Sequence, residues 1–87
     1  MATFAVRIDV THLPGIADPQ GATVERALPA LGFTGVREVH IGKVIRLLVD
    51  APDAAAAERQ VAQMCERILA NPVIERYDIV VEELVGA

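Results

Sequence analysis

Apolar and polar residues alternate near the start of the chain, over residues 3–10. The apolar members of this alternation are Phe4, Val6, Ile8 and Val10. Successive side chains of a β-strand point to opposite faces, so a two-residue period places these side chains together on one face. The segment is therefore predicted to be a strand with one buried face and one open face.

A first helix is predicted to begin at the Asp18-Pro19 pair. Asp is a favoured residue at the N-cap of a helix, and Pro is favoured at the first helical position. Apolar residues follow at helical spacing, namely Val24, Ala27, Leu28 and Leu31. Pro29 interrupts this pattern because a proline inside a helix removes a backbone hydrogen bond, so a kink or an early end is expected near residue 28. Gly32 supplies a stop signal.

Residues 36–50 have the composition of a strand, with Gly42-Lys43 in the middle. One interpretation is a hairpin that turns at Gly42-Lys43, although Gly-Lys is not among the strong two-residue hairpin loops. The other is a single long strand bent at the glycine. Apolar residues recur at odd-numbered positions through the whole segment, which favours the long strand. These residues are Val39, Ile41, Ile45, Leu47 and Val49.

A second helix is predicted to begin after Pro52-Asp53 and to end at Asn71-Pro72. Its apolar stripe consists of Ala54, Ala57, Val61, Met64, Cys65 and Ile68. Asn71 can occupy the left-handed conformation just past the helix end, because Asn tolerates that conformation better than most residues. Pro72 cannot continue a helix, so a new element is expected to start there.

The last strand is predicted over about Val73 to Leu84, with Tyr77, Ile79 and Val81 on one face. The element order is then strand, helix, one or two strands, helix and strand. This order favours an α+β fold in two layers, with two helices on one face of a mainly antiparallel sheet.

Several strand segments are apolar at both parities. They are Val44-Ile45, Leu47-Leu48-Val49 and Ile79-Val80-Val81. A strand that is apolar on both faces is expected to be buried on both faces. Because one chain has only enough helix to cover one face of the sheet, the other face is predicted to be buried in a homodimer.

Composition and charge limit the number of domains, the class of partner and the location of the protein. The 87 residues are predicted to form one domain, residues 1–87. A net charge of −4 argues against nucleic acid as a partner, because phosphates require a basic surface. The single cysteine permits no internal disulfide and fits a reducing compartment. No secretory signal is visible, and no apolar stretch approaches the roughly 20 residues of a membrane span, so a cytoplasmic protein is expected.

Two candidate ligand sites are excluded because their residues do not have the spacing that the corresponding motifs require. Gly42-Lys43 does not complete a phosphate-binding loop, because Arg37 and Val44 stand where that motif requires Gly and Ser or Thr. His12 and His40 have no acidic or cysteine neighbour at metal-ligand spacing, and a zinc site needs three or four ligands. Neither a metal site nor a bound cofactor is therefore expected.

The remaining candidates have structural explanations. Cys65 lies on the apolar stripe of the second helix and is interpreted as a buried structural residue. Gly21 weakens the start of the first helix, and the close approach of another backbone would account for it. No acid–base pair or activated nucleophile is visible, so no catalytic site is predicted in this chain.

Several short motifs, taken in order and at these spacings, resemble one family. They are Asp18-Pro19-Gln20-Gly21, Leu31-Gly32-Phe33, Val39-His40-Ile41-Gly42-Lys43, Met64-Cys65-Glu66 and Leu69-Ala70-Asn71-Pro72-Val73-Ile74-Glu75, followed by Tyr77. Over about residues 3–84 the chain resembles the PurS family, the small subunits of phosphoribosylformylglycinamidine synthase in purine biosynthesis. Pro29 is the clear departure from the family pattern, and it concerns the last turn of the first helix.

The resemblance implies a non-catalytic subunit of an ATP- and glutamine-dependent C–N ligase complex (EC 6.3.5.3). In that family a glutaminase subunit releases ammonia, and a large synthetase subunit uses ATP and the ammonia to form the amidine. The PurS-like subunit forms a homodimer, bridges the other two subunits and supports ammonia transfer. ATP, Mg²⁺ and glutamine are used by the other subunits, so no cofactor is expected on this chain.

The resemblance also suggests where the partner contacts lie. They are expected at Asp18, Gln20, Gly21, Gly42, Lys43, Asn71, Pro72 and Glu75. A small dimeric domain that senses a ligand is the alternative function, because fold alone does not fix function. The sequence leaves open whether two dimers pair, which residue meets which partner, and whether ligands control assembly.

Overall fold

Three antiparallel strands form one sheet in the computed structural model, which describes residues 1–84. The strands are β1 (Ala2–His12), β2 (Lys43–Ala51) and β3 (Glu75–Glu83). Their order in the sheet is β2-β1-β3, so β1 is the central strand. The predicted single domain of residues 1–87 extends beyond the described residues at its C-terminal end.

The alternation in β1 determines which face of the sheet is buried. Phe4, Val6, Ile8 and Val10 are all buried, which confirms the prediction for this strand. In the register of the sheet, Ile8 lies between Ile45 of β2 and Ile79 of β3. Leu47, Val49, Tyr77 and Val81 extend this apolar face on both sides. The core therefore forms on one face of the sheet, around the central strand.

One helix covers that face. It is α2 (Ala54–Met64), and the side chain of Asp53 caps it by accepting a hydrogen bond of 2.7 Å from the backbone N–H of Ala56. Ala57, Val61 and Cys65 are fully buried against the sheet. The interpretation of Cys65 as a buried residue is thus confirmed.

The predicted apolar stripe of this helix is wrong at its two ends. Ala54 is exposed, and Ile68 is 80% exposed. The chain continues from α2 into a π-helical turn over Cys65–Leu69, closed by a hydrogen bond from Ala70 N–H to the Cys65 carbonyl. A π-turn holds more residues than an α-turn, so the inward position moves on by one residue. Leu69 packs against the core in place of Ile68.

The first helix, α1 (Pro19–Ala27), ends where the proline predicts. A short 3₁₀ turn over Pro29–Leu31 follows it, and Gly32 closes this turn in the left-handed conformation, with φ of 95°. The early end near residue 28 and the stop at Gly32 are both confirmed. This helix contributes no side chain to the hydrophobic core, which lies under α2.

Both interpretations of residues 36–42 are wrong. These residues form neither a hairpin arm nor the first half of a bent strand, since β2 begins at Lys43. The backbone N–H groups of Val39 and Ile41 donate to carboxylates of Glu25 and Asp18 instead of to a neighbouring strand. Contacts with α1 therefore replace the strand pairing that the apolar parity suggested.

The predicted helix end at Asn71 and the strand start at Val73 also need correction. Among residues 1–84, Glu38 is the one non-glycine residue with positive φ, so Asn71 is not left-handed. The chain leaves the π-turn through an extended Ala70, with φ of −135° and ψ of 160°. An extended residue already redirects the chain, so no left-handed residue is needed. The strand itself begins at Glu75.

The α+β class and the two-layer arrangement of helices and antiparallel sheet are confirmed. The second sheet face carries the exposed apolar side chains of Val44, Leu48 and Val80. Within residues 1–84, no helix has the length and apolar character needed to cross a bilayer.

Candidate subunit interface

The predicted contact residues lie in two groups at one end of the sheet. The first group adjoins α1 and the start of β2, and the second lies between the π-turn and β3. In the sheet register, Lys43 is opposite Val10 and Glu75 is opposite His12. A hydrogen bond of 2.9 Å from Leu13 N–H to the Ile74 carbonyl joins the loop after β1 to the second group. The fold thus gathers residues that are distant in sequence around the C-terminal end of β1.

Asp18 is the anchor of the first group. Its carboxylate accepts hydrogen bonds from the backbone N–H of Gly21 at 3.0 Å and of Ile41 at 2.8 Å. The first bond caps α1, and the second holds the segment that leads into β2. His40 Nδ1 lies 3.5 Å from the same carboxylate. The Asp18 side chain is only 6% exposed, so its role is to position α1 rather than to present a charge to solvent.

These contacts keep Asp18 ionised. The hydrogen bond from Gly21, and then the one from Ile41, lower the pKa of the Asp18 carboxyl below its ordinary value. Partial burial acts in the opposite direction, and the nearby His12 and His40 add to the lowering. A carboxylate that receives two backbone N–H groups is therefore charged at neutral pH.

Gly21 is explained by a close backbone contact. A Cβ at this position would overlap the backbone carbonyl oxygen of Val39. Glu25, one turn further along α1, accepts a hydrogen bond of 2.9 Å from Val39 N–H. The predicted approach of another backbone at Gly21 is thus confirmed, and it comes from the same chain. Glu25 was not among the predicted residues, because a single Glu on a helix surface carries no sequence signal.

Gly42 and Lys43 lie at the entry to β2. A Cβ on Gly42 would lie 2.6 Å from the carbonyl oxygen of Val10 and 3.1 Å from a methyl of Thr11. The glycine therefore permits a close passage of the chain over the end of β1. Lys43 follows at once, and its side chain is exposed. It presents a positive charge at the end of the sheet.

Gln20 borders an apolar groove on α1. The groove has a volume of about 520 Å³, and Pro19, Thr23, Val24 and Ile41 form the rest of its lining. Val24 remains 40% exposed within it. A polar side chain beside an open apolar groove is typical of a protein-contact surface.

The second group forms a compact turn. Asn71 N–H donates to the Glu75 carboxylate at 2.8 Å, while the Asn71 side chain accepts from Val73 N–H at 3.2 Å. Glu75 N–H in turn donates to the Asn71 carbonyl at 2.7 Å. Pro72 and Val73 lie exposed at the tip. Reciprocal bonds of this kind fix the turn in the manner of a helix capping box.

The ionisable groups near the core are poorly suited to catalysis. Burial, and then the neighbouring Glu66, raise the pKa of the Cys65 thiol, so it stays protonated. The Tyr77 hydroxyl donates to Glu66 at 2.8 Å, and this bond raises the pKa of Tyr77. Within residues 1–84, no three His, Cys, Asp or Glu side chains cluster as a metal site would require.

Comparison with known proteins decides the family. The family model PurS, described as phosphoribosylformylglycinamidine (FGAM) synthase, matches residues 5–83. The chain belongs to the PurS family. The PurS subunit of Synechocystis sp. is 45% identical to it over 85 residues, which cover 98% of this chain and 85% of the relative. That of Archaeoglobus fulgidus is 48% identical over 69 residues, covering 79% and 86%.

A solved structure supports the same assignment. A chain of the PurLQS structure from Thermotoga maritima superposes with a TM-score of 0.83 at 37% identity, covering 97% of this chain and all of that one. The chain is therefore a PurS-type subunit of phosphoribosylformylglycinamidine synthase, an enzyme of purine biosynthesis. The family resemblance and the biosynthetic role predicted from the sequence are confirmed.

Proposed function

We propose that this PurS-family chain is a non-catalytic bridging subunit. It joins the glutaminase subunit to the large ATP-dependent synthetase subunit and assists the transfer of ammonia between them. The observation that carries this proposal is the likeness to a chain of the PurLQS structure over nearly the full length of both chains.

The shape of the molecule suits a bridging role. Its extents are 53 × 31 × 15 Å, so most of its surface is accessible to neighbours on two broad faces and two ends. The α1 group and the turn at Asn71-Pro72 lie near one end of the sheet but on different elements. The two groups are proposed to contact different partner subunits.

The contact residues divide into those that touch a partner and those that hold the surface in place. Gln20, Lys43, Asn71 and Pro72 are exposed and are proposed to touch the partner subunits. Asp18, Gly21, Gly42 and Glu75 fix the backbone of the same two groups through their own hydrogen bonds and close contacts. Substituting the second kind would weaken assembly by displacing the first kind.

A homodimer through the open face of the sheet completes the proposal. Leu48 is 67% exposed on this face, and Ala5, its register neighbour on β1, lies beside it. Arg7 lies next to Arg46 of β2, while Asp9, one row along, lies opposite Asp78 of β3. A two-fold axis between these two rows would place Arg7 and Arg46 of one copy against the aspartates of the other copy.

Cofactors and location follow from the bridging role. ATP, Mg²⁺ and glutamine are proposed to bind to the other subunits, and this chain is proposed to bind none of them. A cytoplasmic location is proposed because Cys65 is a free, buried thiol, which is stable in a reducing compartment.

The test is amidine formation by the purified glutaminase and synthetase subunits, with and without this chain. Glutamine is the nitrogen source, and ammonia is the control. The expected result is turnover with glutamine only when the chain is present, and turnover with ammonia in either case. Equal glutamine-dependent rates with and without the chain would refute the bridging role.

A further inference from the structure

A recess at the C-terminal end of β1 combines one cationic side chain with several hydrogen-bonding side chains. It has a volume of about 370 Å³, and the loop of residues 13–16 forms one of its walls. Thr11, His12, His40 and Arg76 form the polar part of the lining. We propose that this recess binds an oxyanion, the phosphate or carboxylate group of a ligand.

Arg76 and Thr11 supply the main donors. Arg76 Nε donates to the Thr11 hydroxyl at 3.2 Å, which fixes the position of the guanidinium. A guanidinium has five N–H donors, and this bond uses the one on Nε. Arg76 takes part in neither of the ion pairs found within residues 1–84. Thr11 accepts from Arg76, so its own hydroxyl proton is available to an anion. Arg binds phosphate and carboxylate groups particularly well because its fork of donors matches their geometry.

His12 adds an unsatisfied polar atom. Its Nδ1 is buried and has no hydrogen-bond partner among the described residues. Most buried side-chain polar atoms in proteins have a partner, and the exceptions require an explanation. A rotation of the ring that turns an Nδ1–H into the recess would give this atom a partner in a bound oxyanion. His40, across the recess, is largely exposed and can donate from its other ring nitrogen.

Two acidic side chains near the recess, those of Asp18 and Glu75, are already engaged. The Asp18 carboxylate accepts from the N–H groups of Gly21 and Ile41, and lies beside His40. The Glu75 carboxylate, on the residue opposite His12 in the sheet, accepts from Asn71 N–H. Backbone donors thus partly offset both negative charges, which leaves the Arg76 guanidinium to attract an anion and ring N–H groups of His12 and His40 to donate to it.

The size and chemistry of the recess limit the ligand. A volume of about 370 Å³ lies at the lower end of small-molecule sites and is ample for one phosphate or carboxylate group. The oxyanion can come from a free phosphorylated metabolite or from an acidic side chain of a partner subunit. The second source rests on the bridging function proposed above, and the first does not.

The first experiment is a titration of the full chain with inorganic phosphate, followed by two-dimensional ¹H–¹⁵N NMR. The expected result is saturable shifts at Thr11, His12, His40 and Arg76. Arg76→Gln should weaken this binding by about tenfold, because it removes a charge-assisted hydrogen bond. Arg59→Gln removes the same charge from the exposed face of α2 and should leave the affinity unchanged.

The second experiment measures association of the same two variants with the glutaminase and synthetase subunits. If phosphate does not bind but Arg76→Gln alone weakens association by about tenfold, the oxyanion belongs to a partner side chain. If Arg76→Gln affects neither phosphate binding nor association, the inference is wrong. Equal effects of both variants on phosphate binding would also refute it, because they would indicate non-specific attraction. Glutamine-dependent turnover, measured separately, tests the bridging role by itself.

Discussion

The carboxylate of Asp18 receives a hydrogen bond of 2.8 Å from the backbone N–H of Ile41, which lies 23 residues further along the chain. Through its other oxygen the same carboxylate caps α1 at Gly21. One side chain thus joins the start of a helix to the approach of a strand. This relationship explains why residues 36–42 lie along α1 instead of extending the sheet.

The Asp18 bond predicts a specific response of stability to acid. A carboxyl whose pKa is lower in the folded than in the unfolded protein stabilises the fold fully above the unfolded-state pKa, about 4 for Asp. This stabilisation is lost as the pH falls through the lower folded-state value. Asp18→Asn should therefore lower the Tm by several degrees at pH 7, and the two proteins should converge towards pH 2, as measured by circular dichroism.

Asp53→Asn is the matched control for this experiment. Asp53 also caps a helix, but it does so through a single N–H, and Asn is an equally good cap. Its effect on the Tm should be small at every pH. A constant difference between Asp18→Asn and the native protein from pH 2 to pH 7 would show that the charge of Asp18 does not contribute.

Gly21→Ala should destabilise the protein although it replaces a glycine inside a helix. At an unconstrained helical site this change stabilises by about 0.5–1 kcal/mol. Here the added Cβ would overlap the carbonyl oxygen of Val39, so the free energy of unfolding should fall by about 1–3 kcal/mol, measured by urea denaturation. Gly35→Ala, at a site with no atom within 4 Å of the added Cβ, should change it by less than about 0.5 kcal/mol.

Leu48→Glu should weaken the proposed dimer. Leu48 is 67% exposed on the open face of the sheet, so the change removes an apolar side chain from the proposed interface and buries a charge there. The dimer dissociation constant should rise by about tenfold or more, measured by sedimentation velocity. Ile68→Glu changes an equally large residue, 80% exposed on the other side of the molecule, and should leave the dimer intact. A dimer unaffected by Leu48→Glu would place the interface elsewhere.

Lys43→Glu should weaken assembly with the partner subunits without unfolding the domain. The side chain is exposed at the end of the sheet, and reversing an interfacial charge lowers the rate and affinity of association. The loss should be about tenfold in affinity, measured by surface plasmon resonance against each partner. Arg59→Glu, on the exposed face of α2, is the control. If the native protein and Lys43→Glu bind the partner subunits with equal affinity, Lys43 does not lie in the interface.

Glu75 requires a milder substitution, because its carboxylate also holds the turn at Asn71. Glu75→Gln removes the charge but keeps an oxygen that can accept from Asn71 N–H. Its Tm and its association with the partner subunits should therefore both stay close to those of the native protein, because the turn that presents Asn71 and Pro72 is kept. Weaker association at an unchanged Tm would show that the charge of Glu75 itself contacts a partner.

The sequence predicted the elements whose signals are local. The two-residue period of β1 identified the buried residues Phe4 and Ile8, because a strand with one buried face must alternate. Asp18 and Asp53 marked both helix starts, since a cap acts within a few residues. Pro29 and Gly32 marked the end of the first helix in the same way.

The predictions failed where distant contacts replaced local preference. The alternating apolar residues Val39 and Ile41 suggested a strand, but their N–H groups donate to one carboxylate in α1 and to the carboxylate of its N-cap residue. The spacing of Ile68 suggested burial, but the π-turn moved the inward position to Leu69. The hydrophobic periodicity of a sequence does not indicate where a π-turn lies. It also does not indicate which residue, distant in sequence, accepts a hydrogen bond.

By itself, the sequence determined the strand and helix types, the α+β class and the family, because hydrophobic period, caps and ordered motifs are properties of the chain. The tertiary structure decided how residues distant in sequence meet. It brought Lys43 and Glu75 to the same end of the sheet, assigned Gly21 to a contact with Val39, and placed Thr11, His12, His40 and Arg76 around one recess. Such contacts depend on strand register and on the path of residues 13–42, and these are set by packing of the whole chain.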